Sequence, residues 1–345
     1  MQAKHSFVSS FEFKTKDQRP KFKNQIMKFL SFALCVAFSA SGCSPSSSQT
    51  SDVGSQPAEA STPQAEGTTK TSALQNQIKE IAAEAKGKVG VTAVVLESGE
   101  TVASLNPQEH FPMQSVYKLP ISMAVMKAVD AGKVKLTDKV TISKSEFVGR
   151  AAHSPIRDQH PNGASLTVEE LLRYALSESD GTASDVLMKL AGGPAAVQAL
   201  TELSIKDLIV LDTEQTFTQD KTAQYRNWAT PEAAVALLRA LHESRGVSES
   251  SQSLLLKFMT ESTPGAKRLK GMLPAGTPVA HKTGTSGTDK GVTAATNDIG
   301  IITLKNGKHV AIALFVSDSP ADQVTREGVI AKIAKAVYDT VSGGR

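Results

Sequence analysis

The strand-forming runs of this chain lie at the two ends of its body, and a long helical stretch separates them. Residues 89–96, Val-Gly-Val-Thr-Ala-Val-Val-Leu, read as a β-branched strand, and Ser98-Gly99-Glu100 turns it into a second over 101–105. Three more follow far downstream, at 279–283, 295–304 and 309–316, the last two joined by a Lys305-Asn306-Gly307-Lys308 turn. Between them, about 115–262 is dominated by helical patterns, including 168–176, 183–190, 194–203 and 231–242. Leu74, Ile78, Ile81 and Ala82 predict an opening amphipathic helix from near Ser72 to about Gly87. Val324, Ile330, Ile333, Ala334 and Val337 predict a closing one over 320–341. Strands so far apart must meet to bury their apolar faces. The expectation is an α+β body: one antiparallel sheet flanked by the N- and C-terminal helices, packed side by side on one face, with an inserted all-helical subdomain. A ligand site is expected where the helical part meets the sheet edge.

The 345 residues carry a net charge of +4, but the excess sits in front of this body. Residues 1–42 hold seven Lys/Arg against Glu12 and Asp17, which leaves about −1 for the rest. The body therefore has no global attraction for nucleic acid. Residues 28–42, KFLSFALCVAFSASG, have one charge, a short apolar stretch and small residues before Cys43, the pattern of a secretory signal too short to span a bilayer. Met27 reads as the true start. Ala40-Ser41-Gly42-Cys43 resembles a bacterial lipoprotein cleavage box, which implies lipid attachment at Cys43, an exported protein and a membrane anchor, with ordinary secretion as the alternative. Residues 43–71, rich in Ser, Thr, Pro, Ala and Gln, read as a solvated tether, and 72–345 as one folded domain. Both cysteines, Cys35 and Cys43, lie in the leader, so the body has neither disulfide nor thiol chemistry.

Three short motifs carry the chemistry. Ser115-Val116-Tyr117-Lys118 opens an apolar run through Leu119, Ile121, Val125 and Met126. Residues three apart share a helix face, so Lys118 can act on the Ser115 hydroxyl, a poor nucleophile without a base. Pro120 is tolerated only in an opening turn, which places Ser115 at a helix N-terminus. A lysine in a buried helix must pair or lose its charge. Downstream come Ser179-Asp180-Gly181, between two helices, and Lys282-Thr283-Gly284-Thr285 at a strand end, where Gly284 permits close backbone approach. Taken alone, each reads as a cap or a surface lysine. In this order they make one constellation. The seven histidines form neither His-x-His nor His-Glu-x-x-His, so no metal or other cofactor is expected to drive the reaction.

Ser-x-x-Lys, Ser-Asp-x and Lys-Thr-Gly in that order are the known signature of class A β-lactamases and penicillin-binding proteins. From about 72 to 343 the chain resembles class A serine β-lactamases, closest to an extended-spectrum branch with a loop like Gln224-Tyr225-Arg226-Asn227-Trp228-Ala229-Thr230-Pro231. The resemblance implies hydrolysis of a small-molecule β-lactam through an acyl-serine by a periplasmic or cell-surface monomer. It makes Ser115 the nucleophile, Lys118 and Glu214 its bases, Ser179 and Lys282 a proton relay, and Glu214 the activator of the deacylating water. Asp185 would steady the Glu214 loop, and Thr283, Thr285, Arg268, Gly181 and His153 would line the substrate. Two departures stand out. Phe217 and Thr218 occupy the places of a usual Leu and Asn beside Glu214, and Gly181 replaces an Asn that normally holds the substrate's side-chain amide. A D,D-peptidase would share everything but Glu214. A non-catalytic cell-wall-binding lipoprotein would need neither Ser115 nor Lys118.

Overall fold

The computed structural model describes residues 63–199, 203 and 205–343. The leader, Cys43 and the tether up to residue 62 lie outside the described residues. Helix α1 (Pro63–Ala83) leads into strands β1 (Lys88–Val95), β2 (Thr101–Leu105) and β3 (Phe111–Pro112). A 3₁₀ turn over Gln114–Tyr117 then runs into α2 (Lys118–Asp130). The middle of the chain holds β4 (Lys139–Ile142), α3 (Pro155–Gln159), β5 (Ala164–Thr167), α4 (Val168–Ser177) and α5 (Gly181–Ala191). It continues through α6 (Pro194–Gln198), β6 (Leu208–Ile209), α7 (Glu214–Gln219), β7 (Trp228–Ala229), α8 (Pro231–His242) and α9 (Glu249–Thr260). Strands β8 (Val279–Thr285), β9 (Thr288–Asp289), β10 (Val292–Thr303) and β11 (His309–Ser319) precede α10 (Gln323–Ser342).

The distant strands do form one antiparallel sheet, in the order β2-β1-β11-β10-β8, with β9 paired to β10. Both faces are covered, which is why its strands read as continuous apolar runs. Along β11, Val310, Ile312, Leu314 and Val316 join a core with Leu74 and Ile78 of α1 and Ile330 and Ile333 of α10. The alternating Ala311, Ala313 and Phe315 face a second core built with α2, α4, α5 and α8. The two-residue period of a strand thus serves two cores at once.

Three details differ from the sequence reading. Helix α1 begins at Pro63 rather than Ser72, so residues 63–71, read as tether, continue the helix. Once Leu74 and Ile78 are anchored, each further turn adds hydrogen bonds without a new nucleus. It ends at Ala83, where three-residue-back bonds tighten the chain and Lys86 turns left-handed at φ 51°. The small pairings β3-β7-β6 and β4-β5 were not anticipated, since two to four residues are too few to display a period.

Candidate active site

The edge strand β8 lies against the 3₁₀ turn that carries Ser115, so sheet and helical part meet where the sequence expects a site. Gly284 makes that contact possible: a Cβ there would lie 2.2 Å from the Met113 carbonyl oxygen. Asn297 on β10 pins the same turn, donating from Nδ2 to the Pro112 carbonyl at 2.7 Å and the Met113 carbonyl at 3.2 Å. Gln114 takes a left-handed φ of 47° and ties its side chain to Gln224 at 2.8 Å. Pro120 falls in the first turn of α2, with Ser115 in the preceding 3₁₀ turn.

Lys118 is fully buried, and its Nζ sits between two acceptors: Ser115 Oγ at 2.7 Å and Glu214 Oε1 at 2.6 Å. Glu214 opens α7, and its side chain is 15% exposed. Burial pushes its carboxyl up, but the Lys118 ammonium outweighs that and holds it below the usual range. The position of Glu214 is set from α5. Asp185 accepts backbone N–H bonds from Glu214 at 2.8 Å and Gln215 at 3.0 Å. That buried carboxyl is raised to about 6 by desolvation and by the Glu214 charge, although the two N–H bonds favour ionisation. The loop before α8 is clamped by Asn227, whose Oδ1 accepts from Leu211 N and Asp212 N and whose Nδ2 donates to the Asp212 carbonyl.

On the sheet side, Lys282 Nζ donates to Ser179 Oγ at 2.9 Å and to the Thr283 carbonyl at 3.0 Å. No carboxylate touches it among the described contacts. Desolvation, with the nearby Lys118 charge, holds its ammonium well below the ordinary lysine value. Ser179 keeps a left-handed φ of 59°, a conformation that costs on the order of 1–3 kcal/mol and persists where the surroundings fix it. Asp180 supplies that frame as the N-cap of α5. It accepts from Ala183 N at 2.8 Å, Ile156 N at 2.7 Å and Ser154 Oγ.

The remaining candidates are distributed unevenly. Arg268 is buried and bonded to Glu327, the Gly284 and Asn297 carbonyls and Thr285 Oγ1, so it orients the end of β8 and the Thr285 hydroxyl. Thr283 contributes its carbonyl, while its methyl lies where a Cβ on Gly265 would come within 2.4 Å. His153 is exposed. Its Nε2 meets the Glu178 carbonyl, and its own carbonyl accepts from Gly181 N. Gly181 borders Glu214 directly, since a Cβ there would lie 3.1 Å from Glu214 Cγ. Thr218 is not brought to Glu214. Its hydroxyl donates to the Gln215 carbonyl within α7, while Phe217 packs edge-on against Tyr117 at 5.7 Å.

Sequence reasoning did not single out Asn297, Asn227 or the buried His281–Asp298 pair, whose Nδ1 and carboxylate oxygens lie 2.9 Å apart beside Lys282. Of these, only Asn227 left a trace, inside the loop that carries the branch resemblance. Asn297 and Asp298 look like ordinary breaks in a strand.

A serine, two buried lysines and a carboxylate are thus gathered within electrostatic reach of one another. A family described as the beta-lactamase enzyme family matches residues 73–341. The chain belongs to that family, on its class A side. It is 41% identical over 266 residues to the extended-spectrum beta-lactamase PER-1 of Pseudomonas aeruginosa, covering 77% of this chain and 86% of that one. Beta-lactamase VEB-1 of the same organism is 38% identical, over 78% of this chain and 90% of its own. Among solved structures, a beta-lactamase from Chitinophaga pinensis superposes with a TM-score of 0.76 at 44% identity, covering 78% of this chain and 99% of that one. A class A representative from Bacteroides cellulosilyticus gives 0.75 at 34%, over 80% and 99%. The fold read from the chain ends is thus the fold of class A β-lactamases. Among the described residues no helix is long and apolar enough to cross a membrane.

Proposed function

We propose that this β-lactamase opens its substrate through an acyl-serine on Ser115 and regenerates itself with a water activated by Glu214. The observation that carries the proposal is the chain of short contacts Ser115 Oγ–Lys118 Nζ–Glu214 Oε1 at 2.7 and 2.6 Å. A cationic lysine cannot accept the serine proton. Passing one proton to the adjacent carboxylate leaves a neutral amine against Ser115 Oγ, so both bases serve a single transfer. Ser115 Oγ attacks the lactam carbonyl, and the backbone N–H groups of Ser115 and Thr285 hold the oxyanion, worth about 2.7–4 kcal/mol per donor in comparable sites. Ser179, coupled to Lys282, gives its proton to the departing ring nitrogen and is reprotonated with the serine proton that Lys118 took up. Lys118 recovers its own proton from Glu214, which is again a carboxylate; it takes a proton from water as that water attacks the ester, and the proton returns through Lys118 to the departing Ser115 Oγ.

Glu214 also separates this reading from the D,D-peptidase one, because such an enzyme has no use for a carboxylate paired to the lysine beside its serine. The test is steady-state hydrolysis of a chromogenic cephalosporin, with Ser115→Ala as the inactive control. A stoichiometric burst without turnover would return the protein to the penicillin-binding peptidases. Thr285 and the branch resemblance favour cephalosporins among substrates. The protein is read as a monomer held at the membrane by lipid on Cys43, in the periplasm or at the cell surface. Loss of fatty-acid labelling in Cys43→Ala tests that anchor.

A further inference from the structure

At the end of the sheet away from Ser115, three distant segments bring nitrogen and oxygen ligands together. Glu97 follows β1, His309 opens β11 and His242 closes α8. The strand ladder fixes the first two: Val95 pairs with Val310, and Leu96 N donates to the His309 carbonyl at 2.9 Å. The Glu97 carboxylate then accepts from His309 N at 3.0 Å and meets His309 Nδ1 at 2.8 Å. Helix α8, which packs on β1 and β11, sets the His242 ring 4.6 Å from that of His309, tilted by 50°. Ligand-capable atoms of all three residues lie within 4.8 Å of one another. The place is remote from the chemistry, since His309 pairs with Thr303 near the hairpin end of β10, whereas Lys282 pairs with Ile299.

Two imidazoles and one carboxylate brought together from three segments are the donor types of a zinc site. The local field suits a cation. Arg239 and Arg245 are both engaged by Glu243, and the C-terminal end of α8 presents its negative dipole pole to His242. Glu97 and His309 are 39% and 29% exposed, so an ion has access and the side chains have room to adjust. A tetrahedral zinc site needs ligand atoms roughly 3.4 Å apart, so the widest separation, up to 4.8 Å, closes by about 1.4 Å while the 2.8 Å Glu97–His309 contact opens by about 0.6 Å.

We propose that Glu97, His242 and His309 form a binding site for a zinc-class divalent cation, two nitrogens and one oxygen with a fourth position open to water. The bound ion ties the segment after β1, the start of β11 and the end of α8 together, a structural clamp and not a second catalytic centre. Donor chemistry excludes the hard ions, since calcium and magnesium prefer all-oxygen shells.

The test is thermal unfolding and calorimetric titration of the full chain with zinc chloride. Zinc should bind with one ion per chain assigned to these three residues. At a hundredfold excess over Kd it should raise Tm on the order of 5 °C, whereas magnesium leaves it unmoved. His242→Ala, which leaves the Glu97–His309 contact intact, should lose the shift while hydrolysing a cephalosporin like the parent. Glu97→Gln should weaken binding at least tenfold. The difference between parent and His242→Ala isolates this site from zinc held anywhere else on the chain. An equal shift in parent and His242→Ala overturns the proposal. So does binding of one ion per two chains with zinc-dependent dimers.

Discussion

Two buried lysines stand in one site on opposite terms. Lys118, on the helical side, is locked between a hydroxyl and a carboxylate, with Glu214 Oε1 at 2.6 Å. Lys282, on the sheet edge, meets only a hydroxyl and a carbonyl, and burial holds its ammonium well below the ordinary value. A buried charge is stable when paired and costly when alone. The helical side is therefore electrostatically complete before substrate arrives, and the sheet side is not. On the mechanism proposed above, a substrate carboxylate would supply the missing partner for Lys282. In that proposal Lys118 and Glu214 serve chemistry, and Lys282 recognition with proton relay.

The sharpest way to break this contrast is Glu214→Ala. Loss of a positioned base should slow deacylation by about 10²–10⁴-fold while Ser115 still reacts, so acyl-enzyme accumulates and intact mass shows the adduct. Rapid turnover in that variant would remove Glu214 from the mechanism. Lys282→Ala comes next, with an expected loss of about 10²-fold in kcat/KM, mostly in KM. Esterifying the substrate carboxylate should cost the parent a similar factor and cost Lys282→Ala almost nothing more. If the two losses multiply instead, Lys282 does not answer the carboxylate.

A smaller effect probes how the helical side is held together. Asp185 carries the backbone of Glu214 and Gln215, and its carboxyl titrates near 6. Protonation below that pH weakens the acceptor of two N–H bonds, so deacylation should fall severalfold between pH 7 and 5 while acylation changes less. The stability sign is opposite. A folded-state value raised above the ordinary 3.8 means this carboxyl favours the native state increasingly as pH falls from about 6 toward 4. Rate loss in that window without a matching fall in Tm therefore reports loosening of α7. Asp185→Asn should flatten the pH response and lower deacylation about tenfold at pH 7.

How much of this was readable beforehand follows a physical divide. The sheet and its two covering layers were legible because strand and helix periods repeat over many residues, as in 309–316 and in Leu74–Ile78. Ser115, Lys118, Ser179 and Lys282 were legible because a fixed reaction needs fixed residue types at fixed local spacing. Glu214 was legible only through family resemblance, since one glutamate in a polar loop has no period and no local partner. Thr218 shows the limit of position-by-position transfer: its hydroxyl is satisfied within its own helix. Asn227 and Asn297 join segments far apart in the chain, and such contacts leave no pattern in either segment.

Gly181 offers the finest test, because it stands at the border of the two sides. An asparagine there would restore an amide able to hold the substrate's side-chain carbonyl, a contact worth about 0.5–1.5 kcal/mol. The same side chain brings a Cβ to 3.1 Å from Glu214 Cγ and 3.2 Å from the His153 carbonyl, tight enough that the neighbours must shift. The two consequences fall on different steps. Gly181→Ala adds only the crowding and should slow deacylation about two- to fivefold with little change in KM. Gly181→Asn should show the same slowing together with a two- to tenfold lower KM for amide-bearing substrates, and none for those lacking the amide. If Gly181→Ala is silent, the glycine is not there to make room for Glu214. If Gly181→Asn leaves both turnover and inhibitor acylation unchanged, the missing amide has no part in recognition. Either result would move the boundary between chemistry and recognition away from the start of α5.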